Sequence, residues 1–542
     1  MSEMKNTISF YAGHDSSATF VDKTGRIRVL EVERLVKNRY ADFSSATTTR
    51  SYSISDDDRQ KVLRYLSDNV SNPNDISLII HEGLTEEDKK LFTYYFPNAK
   101  FDNNVNHHTG HAYCGHYQSG FDKSIIFSVD GGGRENNEVV FTKVFTGDGD
   151  IVDDLEVPVY YDEDKSLTYV TDFGNPYSDI GFVISTLKKR KDDSLTWAGK
   201  IMGLCGYGNY RQNWVGHFRK YYSRRSRSDD LNRLVEKCFP GRPFKENMLS
   251  DQEAYDFAAT SQRIFEEKLS GLIAKHIDQH PDRDVVMTGG CALNVLFNQK
   301  LAEHMKTRNR KVYIPPNPND CGLSLGFFVE RFGEELRGRD FVYDGIELLD
   351  KNDLKNHVKK RNAKQVTIAE VVDLLKDGKI IGVVNGDSEI GPRALGNRSI
   401  ICDPSFENMK DTLNKKVKFR EWYRPFAPVC LLGDSSEYFE NVFESNYMSH
   451  APKVREKYKT VLKSITHVDD TSRLQTVCEE TGHEFFKNIL VELKSRNEIP
   501  VILNTSFNIR GYPILTTIED ALYVLDNTEL DYVLIEGYLF SK

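Results

Sequence analysis

Apolar and polar positions alternate through the opening segment NTISFYAGHDSSATFVDKTGRIRVLEVER, around a GHDSS loop and a DKTG turn. A period of two with this punctuation predicts strands joined by tight turns. A second unit of the same kind, SIIFSVDGGGRENNEVVFTKVFTGDGDIV, starts at Ser124. Further on the pattern becomes helical, as from Asp251 to His280. VVMTGGCALN then reads as a strand running into a glycine-rich turn and the start of a helix, where unpaired N–H groups suit a phosphate or nucleotide. Between Phe332 and Leu354 charge rises and periodicity is lost. From Thr367 a fresh α/β pattern begins: the helix AEVVDLLKDG, the strand KIIGVVNG, the loop EIGPRALGNRS, and two closing strand segments, VILNTSFN and DYVLIEGYLF. A boundary near residue 350 follows, giving domains 1–350 and 351–542.

The two strand-turn-strand units each carry an acid at the first turn, Asp15 and then Asp130. That repetition predicts the duplicated actin-like ATPase architecture for the N-terminal domain. A length of 542 residues calls for more than one core. With 39% hydrophobic and 28% charged residues the chain is neither disordered nor fibrous. No apolar run reaches the ~18 residues of a membrane span, and the polar start lacks a signal-peptide core, so the expected location is the cytoplasm with no membrane partner. A net charge of −9 argues against a protein that coats nucleic acid; a polyanion would need a local patch. The eight cysteines are scattered without a CxxC pair, which predicts reduced thiols.

Candidate chemistry gathers in a few places. VNHHTGHAYCGH holds His107, His108, His111 and His116. On a helix His107 and His111 share a face one turn apart and can reach one metal ion, with Asp130 and Asp320 as oxygen donors. Two nitrogens and two carboxylates suit iron or manganese before copper; the same residues also fit a helix start with solvated histidines. His14 and Asp15 occupy a tight turn, where a histidine serves as general acid/base or holds a phosphate, or is simply structural. Lys200 with MGLCGYG, and Gly289, Gly290 and Asn294 in TGGCALN, offer turns that backbone and nucleotide can share, or close-packed bends. In the second region Arg393, Arg398, Lys418, Arg420, Arg424 and Arg473 stand beside Gly, Pro and aromatic residues, as in sites for phosphate or planar carboxylate-like groups. Asn504 and Ser506 emerge at a strand's end, where α/β sheets bind ligands. Finally, HFRKYYSRRSRS places Arg219, Lys220, Arg224, Arg225 and Arg227 among Phe218, Tyr221 and Tyr222. Arginine with tyrosine grips phosphates and stacks on bases; the alternative is a solvated loop.

GHDSSA, VNHHTGHA, SVDGGG, AGKIMGLCGYG, TGGCALN and PNPNDCGLSLG, followed by EIGPRALGNRSIICDP, LNKKVKFREWYRPFAP, THVDDTSRLQTV and PVILNTSFNIRGYPI, resemble the NodU/CmcH family of O-carbamoyltransferases over nearly the whole chain. The resemblance implies an α/β protein in which an N-terminal actin-like, metal-containing domain is fused to a C-terminal YrdC-like α/β domain. It implies that the second domain joins carbamoyl phosphate and ATP, with magnesium, into carbamoyl adenylate, and that the first passes the carbamoyl group to a hydroxyl. His107, His111, Asp130 and Asp320 match the iron ligands, and His14 the transfer-site histidine. Arg393, Lys418, Arg424, Arg473, Asn504 and Ser506 match the residues that hold carbamoyl phosphate and the adenylate. Family acceptors are small molecules such as sugars and antibiotics; the basic segment adds a hydroxymethylated base in DNA as a second acceptor. A tRNA threonylcarbamoylation-type enzyme and a non-catalytic actin-like chaperone are the alternatives, and a homo-oligomer is compatible with the chain.

Overall fold

The computed structural model describes residues 2–47, 52–135, 138–162, 167–187, 194–223, 228–480 and 482–542. The chain divides into two compact units. One comprises 1–27 and 40–340, the other 28–39 and 341–542. The second unit takes up the chain again at Phe341. Residues 28–39 join the second unit because their buried side chains bond to segments beyond residue 341, a long-range pairing that no local pattern announces.

Two five-stranded sheets draw all their strands except Ile27–Glu31 from the first unit. Strands β1 (Thr7–Tyr11), β2 (Ser17–Val21), β3 (Ile27–Glu31), β4 (Leu78–Glu82) and β5 (Lys100–Asp102) run in the order β3-β2-β1-β4-β5. Strands β6 (Lys123–Glu135), β7 (Glu138–Asp148) and β8 (Ile151–Glu156) are followed by a two-stranded hairpin, β9 (Val159–Asp162) and β10 (Leu167–Val170), then by β11 (Asp284–Thr288) and β12 (Val312–Tyr313). The second sheet has the order β12-β11-β6-β7-β8. Numbered within each unit, both read 3-2-1-4-5. In both, the first two strands are antiparallel and the first and fourth are parallel. This repeat is the duplicated actin-like layout. The DKTG turn forms as the pattern predicts: Asp22 Oδ1 accepts from the backbone N of Thr24 and Arg26, and Gly25 takes φ +86°.

Asp15 lies in the β1–β2 turn, with φ +59°. Asp130 differs from the sequence expectation, for β6 continues through DGGGRE to Glu135 and Asp130 sits inside it, where the pairing with β7 shifts register between Val129 and Gly133. A bulge of this kind re-aims a side chain within a strand.

The second unit is built on an eight-stranded mixed sheet, β13 (Lys364–Gln365), β14 (Ile381–Val384), β15 (Arg398–Cys402), β16 (Ala427–Leu431), β17 (Gln475–Val477), β18 (Val501–Ser506), β19 (Tyr532–Ile535) and β20 (Tyr538–Phe540), in the order β13-β20-β19-β14-β15-β18-β16-β17. DYVLIEGYLF becomes a hairpin because Glu536 and Gly537 both take positive φ. Helices Ile368–Lys376 and Glu484–Ser495 cover one face, packing Val372, Leu375, Ile489 and Leu490 against the strands. Among the described residues no helix is long and apolar enough to cross a membrane, and all eight cysteines are free thiols.

Candidate metal and anion sites

In the first unit, the ends of the parallel strands bring the polar groups together. β1 and β4 align Tyr11 with Glu82, and β6 and β11 align Ser128 with Thr288 just before Asp130 and Gly289. The helix His107–Ser119 presents His107 and His111 one turn apart, as the spacing predicts. Asp320 opens the short turn that leads into helix Leu323–Phe332. His107 Nε2 and His111 Nε2 lie 3.1 and 3.3 Å from Asp130 Oδ2, and 3.7 and 3.5 Å from Asp320 Oδ1. One donor atom from each of the four falls within 4.8 Å of the others.

Around this quartet stands a second ring. Tyr11 OH donates to Asp320 Oδ2 at 2.8 Å. Glu82 Oε1 is 3.4 Å from His107 Nδ1, while Glu82 Oε2 is buried without a hydrogen-bond partner. Asp130 Oδ1 accepts from the backbone N of Gly131 and Gly290 at 2.7 and 3.1 Å. Burial alone would drive His107 and His111 neutral, but the surrounding carboxylates hold both above the ordinary histidine range. Likewise the imidazoles hold Asp130 well below the usual carboxylate range against the effect of burial. Three acids, Glu82, Asp130 and Asp320, thus share one buried spot with two imidazoles. That excess of negative charge, with its orphaned Glu82 oxygen, fits a divalent cation held by His107, His111, Asp130 and Asp320.

The other two histidines of the motif serve the fold. His108 spans Ser128 Oγ and the Val140 carbonyl at 2.7 and 2.9 Å, and burial lowers it to about 3. His116 spans Ser124 Oγ and the Gly149 carbonyl. His14 stands beside the quartet, its Nδ1 3.0 Å from Asp15 Oδ2 and its Nε2 3.5 Å from Asp320 Oδ2. Burial would lower it, yet Asp320, Asp15 and Asp130 raise it to about 9.

Gly289 and Gly290 act through close approach. Gly289 has φ +83°, and a Cβ there would meet the Val129 carbonyl at 2.3 Å; a Cβ on Gly290 would meet Asp130 Oδ1 at 2.8 Å. Asn294 caps the helix Val295–Lys306 by accepting from Phe297 N, and exchanges two hydrogen bonds with Gln262. Lys200 is buried on the helix Trp197–Cys205, with Nζ 3.5 Å from the Leu187 carbonyl.

In the second unit Lys418 follows a wide helical turn, Leu413–Val417, and precedes Phe419, whose φ of +50° is strained for a bulky residue. Its ammonium donates to the Ser506 carbonyl (2.5 Å), to Asn508 O (2.7 Å) and to Asn508 Oδ1 (2.5 Å) at the end of β18. Burial, then Arg420, Arg424 and Arg39, push Lys418 well below the lysine range. Burial and the neighbouring Arg424 do the same to Arg420, and burial with Arg393, Arg420 and Arg424 does so to Arg473. Five of the predicted residues, Arg393, Lys418, Arg424, Arg473 and Ser506, therefore share one neighbourhood. Asn504 joins them from β18, fully buried, donating to the Ala394 carbonyl and Gln475 Oε1 with its own Oδ1 lacking a partner. Cations that disfavour one another's charge have the chemistry to hold a polyanion.

Arg398 is completely buried, and its two terminal nitrogens donate to the carbonyls of Asn385, Asn397 and Gly386, which braces the loop, while its Nε is without a hydrogen-bond partner. The basic aromatic segment lies only partly within the described residues. Phe218, Tyr221 and Tyr222 are core residues: Phe218 packs on Phe257, and Tyr222 OH lies 2.7 Å from Ser261 Oγ. None of the three rings is open for base stacking. Arg219 is paired bidentately with Glu267, Lys220 is exposed, and Arg224, Arg225 and Arg227 lie outside the described residues. Sequence reasoning missed Tyr11, Glu82 and Arg39; the strand ends hold the first two, while only the fold brings Arg39 to Lys418.

The family model described as carbamoyltransferase N-terminus matches residues 98–329, and that described as carbamoyltransferase C-terminus matches 372–542. Nodulation protein NolO of Bradyrhizobium diazoefficiens is 30% identical over 464 residues, 81% of this chain and 79% of that one. An uncharacterized protein of Methanocaldococcus jannaschii is 26% identical over 98% of both chains. Among solved structures, HypF of T. kodakarensis aligns over 61% of this chain and 48% of its own at 12% identity, with a TM-score of 0.33.

Proposed function

The chain belongs to the carbamoyltransferase family, and from that premise we propose that it makes carbamoyl adenylate in its second unit and transfers the carbamoyl group to a hydroxyl in its first. The observation that carries this reading is the crowd of mutually repelling cations around the buried Lys418, because a dianionic phosphate with a triphosphate is the ligand that relieves them. Carbamoyl phosphate gives up phosphate to water, leaving carbamate. The carbamate oxygen then attacks the α-phosphorus of ATP, bound as its magnesium complex, and pyrophosphate leaves. Lys418, Arg424, Arg473 and Arg393 hold phosphoryl oxygens as charge moves, and the free Asn504 Oδ1 is a buried acceptor for the carbamoyl N–H.

In the first unit His107, His111, Asp130 and Asp320 would hold iron, with manganese as the other ion of matching chemistry. When bound, the ion supplies Lewis-acid polarisation to a carbonyl or phosphoryl oxygen. Tyr11 and Glu82 fix the orientation of Asp320 and His107. The acceptor oxygen attacks the carbamoyl carbon, AMP departs with the bonding pair, and the hydroxyl proton passes to His14, which Asp15 orients and which would be neutral once a bound ion offsets the charge of Asp320 and Asp130 that raises it. The burial of Phe218, Tyr221 and Tyr222, which takes away base stacking in the basic segment, favours a small-molecule acceptor over hydroxymethylated DNA.

The test is the purified full chain with ATP, magnesium and carbamoyl phosphate. Coupled release of phosphate and pyrophosphate supports the reading, and mass spectrometry of sugar acceptors should show the gain of one carbamoyl group. Consumption of bicarbonate and threonine in place of carbamoyl phosphate would establish threonylcarbamoyl chemistry instead. Carbamoylation of hydroxymethylated duplex DNA, with no sugar modified, would overturn the small-molecule acceptor.

A further inference from the structure

We propose that Arg34, braced by Glu31, is a positioning residue that sets the Arg393 loop of the anion site. The inference rests on the carbamoyl-adenylate reading above, and it concerns a part of the chain far in sequence from the rest of that site.

Within the second unit the short helix Val32–Val36 buries Arg34 to 2% exposure. Arg34 Nη1 donates to the Glu389 carbonyl at 2.5 Å, and Nη2 to the Gly391 carbonyl at 2.6 Å. Its Nε lies 2.9 Å from Glu31 Oε2, and the other oxygen of Glu31 accepts from Gly391 N at 2.5 Å. The carbonyl of Arg34 itself accepts from Thr516 Oγ1, which fastens the helix from behind. One planar fork therefore grips two carbonyls two residues apart, while its carboxylate partner grips the amide of Gly391. Gly391 takes φ +88°, a left-handed conformation that glycine adopts without strain.

Arg393 follows two residues later. On its other side the Ala394 carbonyl accepts from Asn504 Nδ2 at 2.9 Å. The loop is thus pinned before and after Arg393, once by the Glu31–Arg34 pair and once by a residue of the anion site. A buried ion pair is a poor source of stability compared with apolar residues of the same size. Its distinct contribution is geometric, because a planar guanidinium offers two parallel donors at once, here to the carbonyls of Glu389 and Gly391. A ligand group displaced by about 1 Å loses much of its effect on a bound anion.

The experiment is a double-substitution cycle on the full chain, with phosphonoacetamide, a stable analogue of carbamoyl phosphate, titrated calorimetrically. Arg34→Lys keeps the charge but loses the fork, and should weaken binding about tenfold. Glu31→Gln keeps the shape and should weaken it in the same direction by less. Arg393→Ala should weaken it by at least as much as Arg34→Lys, and the double variant R34K/R393A should match R393A alone within about twofold. A general loss of structure would instead weaken the R393A background further. Wild-type affinity in R34K, or multiplying losses in the double variant, would overturn the positioning role. If the wild-type chain binds neither the analogue nor carbamoyl phosphate, the adenylate reading itself fails, and the inference with it.

Discussion

Replacing Lys418 by methionine tests the anion site most directly. In the ligand-free protein the ammonium is buried, surrounded by the oxygens of Ser506 and Asn508, and depressed by burial and by Arg420, Arg424 and Arg39. Removing it deletes hydrogen bonds but also relieves that repulsion, so the change in melting temperature should be small. With the phosphates bound the balance reverses. A unit charge within about 4 Å of a phosphoryl oxygen is worth about 4 kcal/mol at an effective dielectric near 20. Loss of one such group from a preorganised site costs about 10²- to 10³-fold in rate. Pyrophosphate release from ATP and carbamoyl phosphate should fall by that factor in Lys418→Met, and Arg424→Ala should fall by a comparable one. The pH dependence carries a second signature. Because the folded-state pKa lies below the unfolded value near 10.4, the unfolded chain binds more protons between the two, and wild-type stability gains from this group as pH rises through that window. Binding of the anion should draw a proton up, and both effects should vanish in Lys418→Met. Pyrophosphate release at the wild-type rate would refute the reasoning.

Three further outcomes are expected. His111→Ala should lose the bound metal, read by elemental analysis, and stop carbamoyl transfer while pyrophosphate release in the second unit persists; full metal occupancy would remove this histidine from the ligand set. Glu330 is raised to about 7 by burial and then by Asp102, so wild-type stability falls as pH rises from about 4.3 to 7; Glu330→Gln should equal wild type near pH 4 and exceed it by up to about 3 kcal/mol at pH 8 in denaturant titrations. Gly289→Ala combines a left-handed backbone with a Cβ only 2.3 Å from the Val129 carbonyl, so it should lower stability by about 2–4 kcal/mol and reduce metal content, while a wild-type melting curve would contradict the close approach.

Local rules carried the sequence a long way. The alternation of β1 and β2, the DKTG turn, the helix that carries His107 and His111 at four-residue spacing, and the strand-to-helix passage at TGGCALN all depend on periodicity and on glycine and aspartate, which act over a few residues. The repeated strand pattern foretold the duplicated sheets, and the cationic motifs foretold the residues around Lys418. What local rules do not encode is which partners meet across long separations. Asp320 joins His107, Tyr11 pairs with Glu82 through parallel strands, and Arg34 reaches the loop at Glu389 only once the sheets have formed. Burial is equally a property of the whole. Arg398 and Arg393 look alike in GPRALGNRS, but the first points into the core and spends its donors on carbonyls while the second shares the field of Arg473. In the same way Tyr222 reads as a stacking residue beside arginines until the helix Asp251–Gln279 packs over it. Composition and spacing determined which chemistry the chain could perform; long-range packing decided which of the chemically eligible side chains meet in one site, because groups far apart in sequence come together only once the sheets have formed.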